Sequence, residues 1–366
     1  MKSLKKNSQS EIYWGRSNEW FIVLITIFFS GLLFQFPRIF NFDPEIFYPR
    51  NISFIIFPML TIYVSWRNNS SFNNWILPFI LFITSAIFIN LLPGNDTVDV
   101  FVLSCIHLPL FLWSTYGFAF MGKKWKDNNA RISFLRYNGD FFVMSGLIGI
   151  SGFLFTAVTI VLFELIDLNI EKFFINNVAS WGIAGVPILA SFLVLNNPSL
   201  TGKISPVIAK IFTPFVFFTL LIFSIAITFS NKDIYNDRDF LLIFNIILIA
   251  VMAIILFSLG ESIKSSKNNF QMILLFLLSL ISVLDNLFAL SAIGFRLFEF
   301  GVTPNRISVL GSNLLILTHL IIVSQQIFLV LKGSSNIKSI EKRIGEYLPL
   351  YTIWTMIVVF LFPFLF

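Results

Sequence analysis

Asp285 stands inside one apolar stretch and His319 inside the next, with the polar link Phe-Arg-Leu-Phe-Glu-Phe-Gly-Val-Thr-Pro-Asn-Arg at 295–306 between them. A carboxylate and an imidazole can pass protons or hold a cation, and such groups recur in the relays of membrane transporters. Inside hydrocarbon an ionisable group costs about 2.5–3.5 kcal/mol on insertion scales, so it survives mainly where it acts or has a partner. At ~100° per residue, Ser279, Ser282, Asp285, Asn286 and Ala289 fall on one face of a helix. In the following stretch Asn305, Ser312, His319 and Gln326 recur every seven residues, a polar stripe that drifts about 20° per heptad. Counted inward from the link, Asp285 lies about nine residues deep and His319 about thirteen, a difference of about 6 Å. An Asp285–His319 pair is therefore feasible. Two readings of it stay open: a proton- or cation-linked site that includes Asn286 and Ser282, or a buried polar contact that sets helix register, with Asp285 protonated and bonded to a serine.

His107 and Asn245 fall at similar depth in other apolar stretches. With Asp285 and His319 they suggest a cavity opening to the outer side, or simply groups near the wet interface. The short segments assigned to that side carry Arg38, Arg50, Arg238, Arg296 and Arg306 beside Asp43, Glu45, Asp233, Asp237, Asp239 and Glu299. Arginine presents a planar fork suited to carboxylate or phosphate. The expectation is structural ion pairs, with an anion site at Arg296, Arg306, Arg238 and Glu299 as the alternative, for a lipid phosphate or a carboxylated solute. The single cysteine, Cys105, permits no disulfide within the chain, and no Cys/His spacing suits a metal. No cofactor is expected.

The elements that must carry these groups follow from composition. Of 366 residues 57% are apolar and 12% charged, about half the charge density of soluble domains. Lipid accepts that much apolar surface; a soluble core of this length does not. Eleven apolar runs are long enough to cross a bilayer, at 20–36, 47–66, 75–92, 100–121, 141–166, 178–195, 210–230, 240–260, 270–294, 307–331 and 348–366. Because the first and sixth are short, the range is ten to twelve. The expected fold is an all-α integral membrane protein with short loops and no soluble domain. Placing the N-terminus inside puts 18 of 25 basic residues on the cytoplasmic side, with Phe366 outside. The first run is expected to stay as a signal-anchor, since no small-residue cleavage site follows it. Net charge +6 then needs no nucleic-acid partner; orientation and anionic lipid at the basic cytoplasmic loops account for it. The basic loop 122–140 is the expected seam of a single polytopic domain, between sub-bundles 1–121 (four spans) and 141–366 (seven). Pro58, Pro78, Pro109, Pro187, Pro214 and Pro363 are expected to kink their spans. Gly146, Gly149 and Gly152, with Gly182 and Gly185, suggest close helix packing or, alternatively, broken substrate-binding helices. In the link, Gly301 is expected at positive φ, and Thr303-Pro304 as the cap and opening turn of the next helix.

Phe300-Gly301-Val302-Thr303-Pro304-Asn305-Arg306 resembles the aromatic-Gly-(Leu/Val)-Thr-x-x-Arg signature of bacterial "domain of unknown function" family 4153. Arg238-Asp239-Phe240-Leu241 before Asn245, and Tyr351-Thr352-Ile353-Trp354-Thr355, are similar to stretches in its Bacteroidetes members. The resemblance covers roughly the second half of the chain and implies a polytopic bacterial inner-membrane protein with no assigned activity. Three function classes compete. Foremost is a transporter or permease with an outward-opening polar cavity near Asp285 and His319. A non-catalytic subunit or sensor, with a protein partner or as a homo-oligomer, comes second. A lipid-linked glycosyl or acyl transferase using Asp43 and Glu45 is the enzymatic alternative and the least favoured.

Overall fold

The computed structural model describes residues 13–94, 98–229, 235, 237–261 and 269–366. Among them eleven long helices follow one another: α1 Ser17–Phe40, α2 Pro44–Arg67, α3 Phe72–Leu91, α4 Asp99–Met121, α5 Asn128–Glu164 and α6 Glu171–Asn196. The rest are α7 Pro198–Thr228, α8 Arg238–Glu261, α9 Asn269–Phe300, α10 Pro304–Leu331 and α11 Ile337–Leu365. No strand occurs among the described residues. Each helix carries all or nearly all of one of the eleven apolar runs. Nine are long and apolar enough to span a bilayer; α2 is not among them, and in α7 the apolar part narrows to Ile211–Ile227. The protein is a multi-pass helical membrane protein. Helices start earlier than the apolar runs where charged turns precede them, since backbone hydrogen bonding does not stop at the edge of the hydrocarbon.

The chain forms two compact units that alternate along the sequence: unit 1 is 1–42, 55–70 and 137–205, and unit 2 is 43–54, 71–136 and 206–366. In unit 1, α1 lies against α6. Gly31 gives the indole of Trp181 its place, since a Cβ there would lie 2.2 Å from Trp181 Cε3. The helices run through their prolines, and neighbouring hydroxyls serve carbonyls close to them. Ser30 Oγ lies 2.9 Å from Ile55 O and 3.0 Å from Ala184 O, each three residues before a proline, Pro58 and Pro187. In unit 2, Pro363 has no N–H for Val359 O four residues back. Ser104 of α4 donates to that carbonyl instead, at 3.2 Å, beside a π-helical stretch at Ile357–Leu361.

The two glycine expectations part company. Gly185 does pack, its Cβ position 3.1 Å from Ile27, whereas Gly146, Gly149, Gly152 and Gly182 have no atom within 4 Å of theirs. α5 is unbroken through its three, so that face is neither a helix contact nor a broken helix among the described residues.

The core of unit 2 is built by α7 to α11. Met252, Ile255 and Leu259 of α8 meet Leu275 and Leu278 of α9, Leu320 and Val323 of α10, and Ile340 and Ile344 of α11. The α9–α10 turn has the expected local chemistry. Gly301 takes φ +76°, and Thr303 Oγ1 caps α10 by accepting from the Arg306 N–H at 3.3 Å, with Pro304 in the first turn.

Candidate functional site

Ser324 of α10 donates to Ser279 Oγ of α9 at 2.8 Å and thereby sets the register of the hairpin. Five residues onward from 279 and five back from 324 bring Leu284 level with His319. Asp285 and Asn286 are thus within about 1.5–3 Å of His319 along the axis, closer than loop counting implies. Level does not mean joined. Asp285, 3% exposed, turns toward α7, where Ser224 Oγ lies 2.8 and 3.0 Å from its two carboxyl oxygens and 2.7 Å from Leu220 O. His319, fully buried, turns toward α11. Its Nδ1 lies 3.0 Å from Tyr351 Oη, and its ring stacks on Tyr347 at 4.3 Å between centroids. No hydrogen bond or ion pair links Asp285 to His319.

The predicted buried face of α9 is otherwise in place: Ser279, Ser282, Asp285, Asn286 and Ala289 are all buried. Ser282 spends its hydroxyl on Leu278 O at 2.8 Å. Asn286 behaves differently, being fully buried with neither Oδ1 nor Nδ2 finding a partner among the described residues. It follows Ser279 by seven residues and returns to within about 20° of it, on the α10 side of α9. Asn313 precedes Ser324 by eleven residues, so it returns to the same seam to within about 20°. Its Nδ2 donates to Asn245 Oδ1 of α8 at 2.7 Å. His319 Nε2 is likewise buried without a partner among the described residues. His107 sits on another seam, with Nδ1 2.9 Å from Leu103 O and Nε2 3.5 Å from Ser308 Oγ of α10. The polar groups of unit 2 thus form separate inter-helix contacts rather than one hydrogen-bonded cluster.

The arginines correct the sequence reading. Arg306 Nη1 donates to Phe300 O at 2.8 Å and Gly301 O at 2.6 Å, closing the C-terminus of α9. Arg50 reaches Ile89 O at 3.0 Å, Leu92 O at 3.2 Å and Gly94 O at 3.0 Å at the end of α3. Arg38 bonds Asn176 O at 3.1 Å and Asn177 Oδ1 at 2.9 Å in α6. These three form no ion pair among the described residues; Arg50 and Arg306 satisfy carbonyls that helix C-termini leave open, and Arg38 serves a carbonyl and a side-chain amide oxygen within α6. Arg296 and Glu299, one turn apart on α9, form no ion pair with each other. The side chain of Arg238 lies outside the described residues. Asp43 Oδ1 accepts from the Glu45 N–H at 2.9 Å, a helix-capping role at the start of α2.

One constellation escaped the sequence reading. Glu19 at the start of α1 is 7% exposed in unit 1. Its Oε1 accepts from Tyr63 Oη at 2.9 Å, Arg67 Nη1 at 3.0 Å and Asn196 Nδ2 at 2.8 Å. Arg67 also donates to Asn196 Oδ1 and Leu195 O, both at 2.7 Å, so α1, α2 and α6 are tied at one end. Span parity carried the signal: Glu19 precedes the first run, while Arg67 and Asn196 end the second and sixth, which places all three at the same membrane face.

No protein-family model, curated protein or solved structure matches the chain. The resemblance to family 4153 rests on the short stretches at 238–241, 300–306 and 351–355 alone.

Proposed function

We propose that the protein is a transporter of the inner (cytoplasmic) membrane of a bacterium. Its N-terminus faces the cytoplasm, and its working groups lie in α7–α10 of unit 2. The observation that carries this reading is the layer formed by Asp285, Asn286 and His319, where a carboxyl, an amide with both ends unpaired and an unpaired imidazole nitrogen lie level in a bilayer-spanning hairpin. Unsatisfied polar groups cost several kcal/mol each in hydrocarbon, and inert helix packing has no need of them. Asp285 has no cationic partner within ion-pair distance among the described residues, which suits a group that takes up and releases a proton or cation. Orientation follows from the 18 to seven division of basic residues, and family 4153 is the kinship that the 300–306 motif suggests.

The test is proton and sodium flux in liposomes holding the purified full chain, under an imposed gradient. Asp285→Asn keeps the shape and a hydrogen bond to Ser224 but cannot ionise. It is expected to fold, judged by gel filtration and thermal unfolding, and to lose flux at least tenfold. Equal flux in the variant and the parent, or no flux of either ion in the parent, would falsify the reading. The subunit alternative draws on α5, where Leu147, Ile150, Phe153 and Leu154 are exposed. It predicts a stoichiometric co-purifying membrane protein. The transferase alternative is the weakest, because Asp43 is already engaged at the start of α2.

A further inference from the structure

We infer that one end of unit 2 is a binding surface for anionic phospholipid headgroups, assembled from two basic stretches that lie about 200 residues apart. Two arginines staple the stretches together. Arg131 Nη1 donates to Gly345 O at 2.9 Å and its Nε to Trp125 O at 3.0 Å. Arg136 forms an ion pair with Glu341, and its Nε donates to Gly260 O at 2.5 Å. The fit is close, since a Cβ on Gly345 would lie 3.2 Å from Asn128 O. Both arginines are spent within the protein.

Most of the remaining cations are not, and the two that are paired, Lys342 and Arg343, share one exposed carboxylate. Lys123, Lys124 and Lys126 from the first stretch, with Lys332, Lys338, Lys342 and Arg343 from the second, are all exposed. Against these seven stand two exposed carboxylates. Glu346 pairs with Lys342 at 3.9 Å and Arg343 at 3.3 Å, while Asp127 caps the following helix by accepting from the Asn129 N–H at 3.0 Å. The division of labour follows side-chain chemistry: arginine forks take fixed carbonyl and carboxylate geometry, whereas lysines offer hydrated point charges suited to exchangeable phosphates.

Two further features favour a lipid surface over an acidic soluble protein. The cations sit where α4 and α10 end and α5 and α11 begin, which is headgroup level for helices that cross the bilayer. Trp125, 41% exposed among them with Lys126 Nζ 5.1 Å from its ring centre, is the amphipathic residue type enriched at that depth. Anionic lipid attracts each nearby Lys or Arg, and seven such charges act together.

The full-length protein, reconstituted into phosphatidylcholine vesicles with about one-fifth phosphatidylglycerol and then extracted gently, should retain phosphatidylglycerol enriched on the order of fivefold over the bulk ratio. The variant carrying Lys123→Gln, Lys124→Gln, Lys126→Gln and Lys338→Gln should fall toward the bulk ratio while unfolding at the parent temperature in neutral detergent. Arg131→Gln should instead lower that temperature. Should the quadruple variant not fold, salt on the parent decides, because raising ionic strength to roughly 0.5 M must remove most of the enrichment. A parent ratio equal to bulk overturns the inference. So does enrichment that survives both lysine replacement and salt, or retention of an acidic soluble protein without any lipid preference.

Discussion

A single methyl group added at Gly311 probes how α10 and α11 hold His319. A Cβ built there lies 2.1 Å from both Cζ2 and Cη2 of Trp354 and 2.8 Å from Cζ3, whereas carbon atoms pack at about 3.5–4.0 Å. The indole would have to retreat by about 1.5 Å. It has little freedom to do so, because its Nε1 donates to Ser312 Oγ at 3.0 Å and its ring meets Phe362 edge-on at 6.1 Å. Overpacking of this kind costs roughly 1–3 kcal/mol, and loss of an inter-helix hydrogen bond in a membrane protein about 0.6 kcal/mol. Against this, alanine gains about 1 kcal/mol of helix propensity over glycine. The net expectation for Gly311→Ala is a loss of about 0.6–2.6 kcal/mol. Local strain should reach the site, since Ser312–Trp354 and His319–Tyr347 share one antiparallel register, seven residues apart on each helix. Thermal unfolding in detergent would measure the loss, and a cycle with Trp354→Leu would assign it. With the indole gone, Gly311→Ala should be neutral or stabilising, giving a coupling of about 2 kcal/mol. Wild-type stability of Gly311→Ala, or a coupling near zero, refutes the argued packing.

Two further substitutions separate paired from unpaired surface. Glu19→Ala strands donors on Tyr63, Arg67 and Asn196 and should destabilise unit 1 by roughly 3 kcal/mol, the low end for a broken buried pair because Arg67 is partly exposed. Glu19→Gln, which keeps an acceptor, should cost less, and equal unfolding midpoints for the two variants would show that the shared oxygen does not matter. Gly149→Ala has no atom to meet within 4 Å and should stabilise α5 by up to about 1 kcal/mol through helix propensity. A lower unfolding midpoint, or a smaller assembly in gel filtration, would reveal a protein neighbour on that face.

How much of this was written in the sequence depends on what kind of contact is at stake. Hydropathy reports transfer free energy summed over a run, so eleven apolar runs became eleven long helices, and the wheel named the buried residues of α9. Local turn chemistry was equally legible, because Gly301, Thr303 and Pro304 act on their own backbone. Partners were not. Asp285 took Ser224 from α7 and His319 took Tyr351 from α11, although the hairpin had made them each other's nearest candidates by depth. Depth along an axis fixes one coordinate, whereas the azimuth of each side chain depends on which helices stand on its far side. The arginines failed for another reason. A carbonyl at a helix end is an acceptor that every residue type carries, so Arg50 and Arg306 had partners that leave no trace in side-chain composition.

The same accounting gives the surest way to separate function from structure in this chain. Backbone demand absorbs many of its intramembrane polar groups. Ser30 and Ser104 serve carbonyls near prolines, Ser282 and Thr26 bond their own helices, and three arginines serve carbonyl groups at or beside helix segments. A lone buried hydroxyl left over, such as that of Thr61 or Ser85, is a small debt, since rotation can return it to a carbonyl one turn back. Asn286 has no such escape. Its amide presents two donor and two acceptor positions in a fixed plane, and none is met among the described residues. Leucine or alanine would be cheaper in hydrocarbon if packing alone were required. Retaining that amide beside Asp285, which has no cationic partner among the described residues, and one turn from the Asn313–Asn245 bond, is therefore the feature that helix packing explains least and on which the proposed transport role rests.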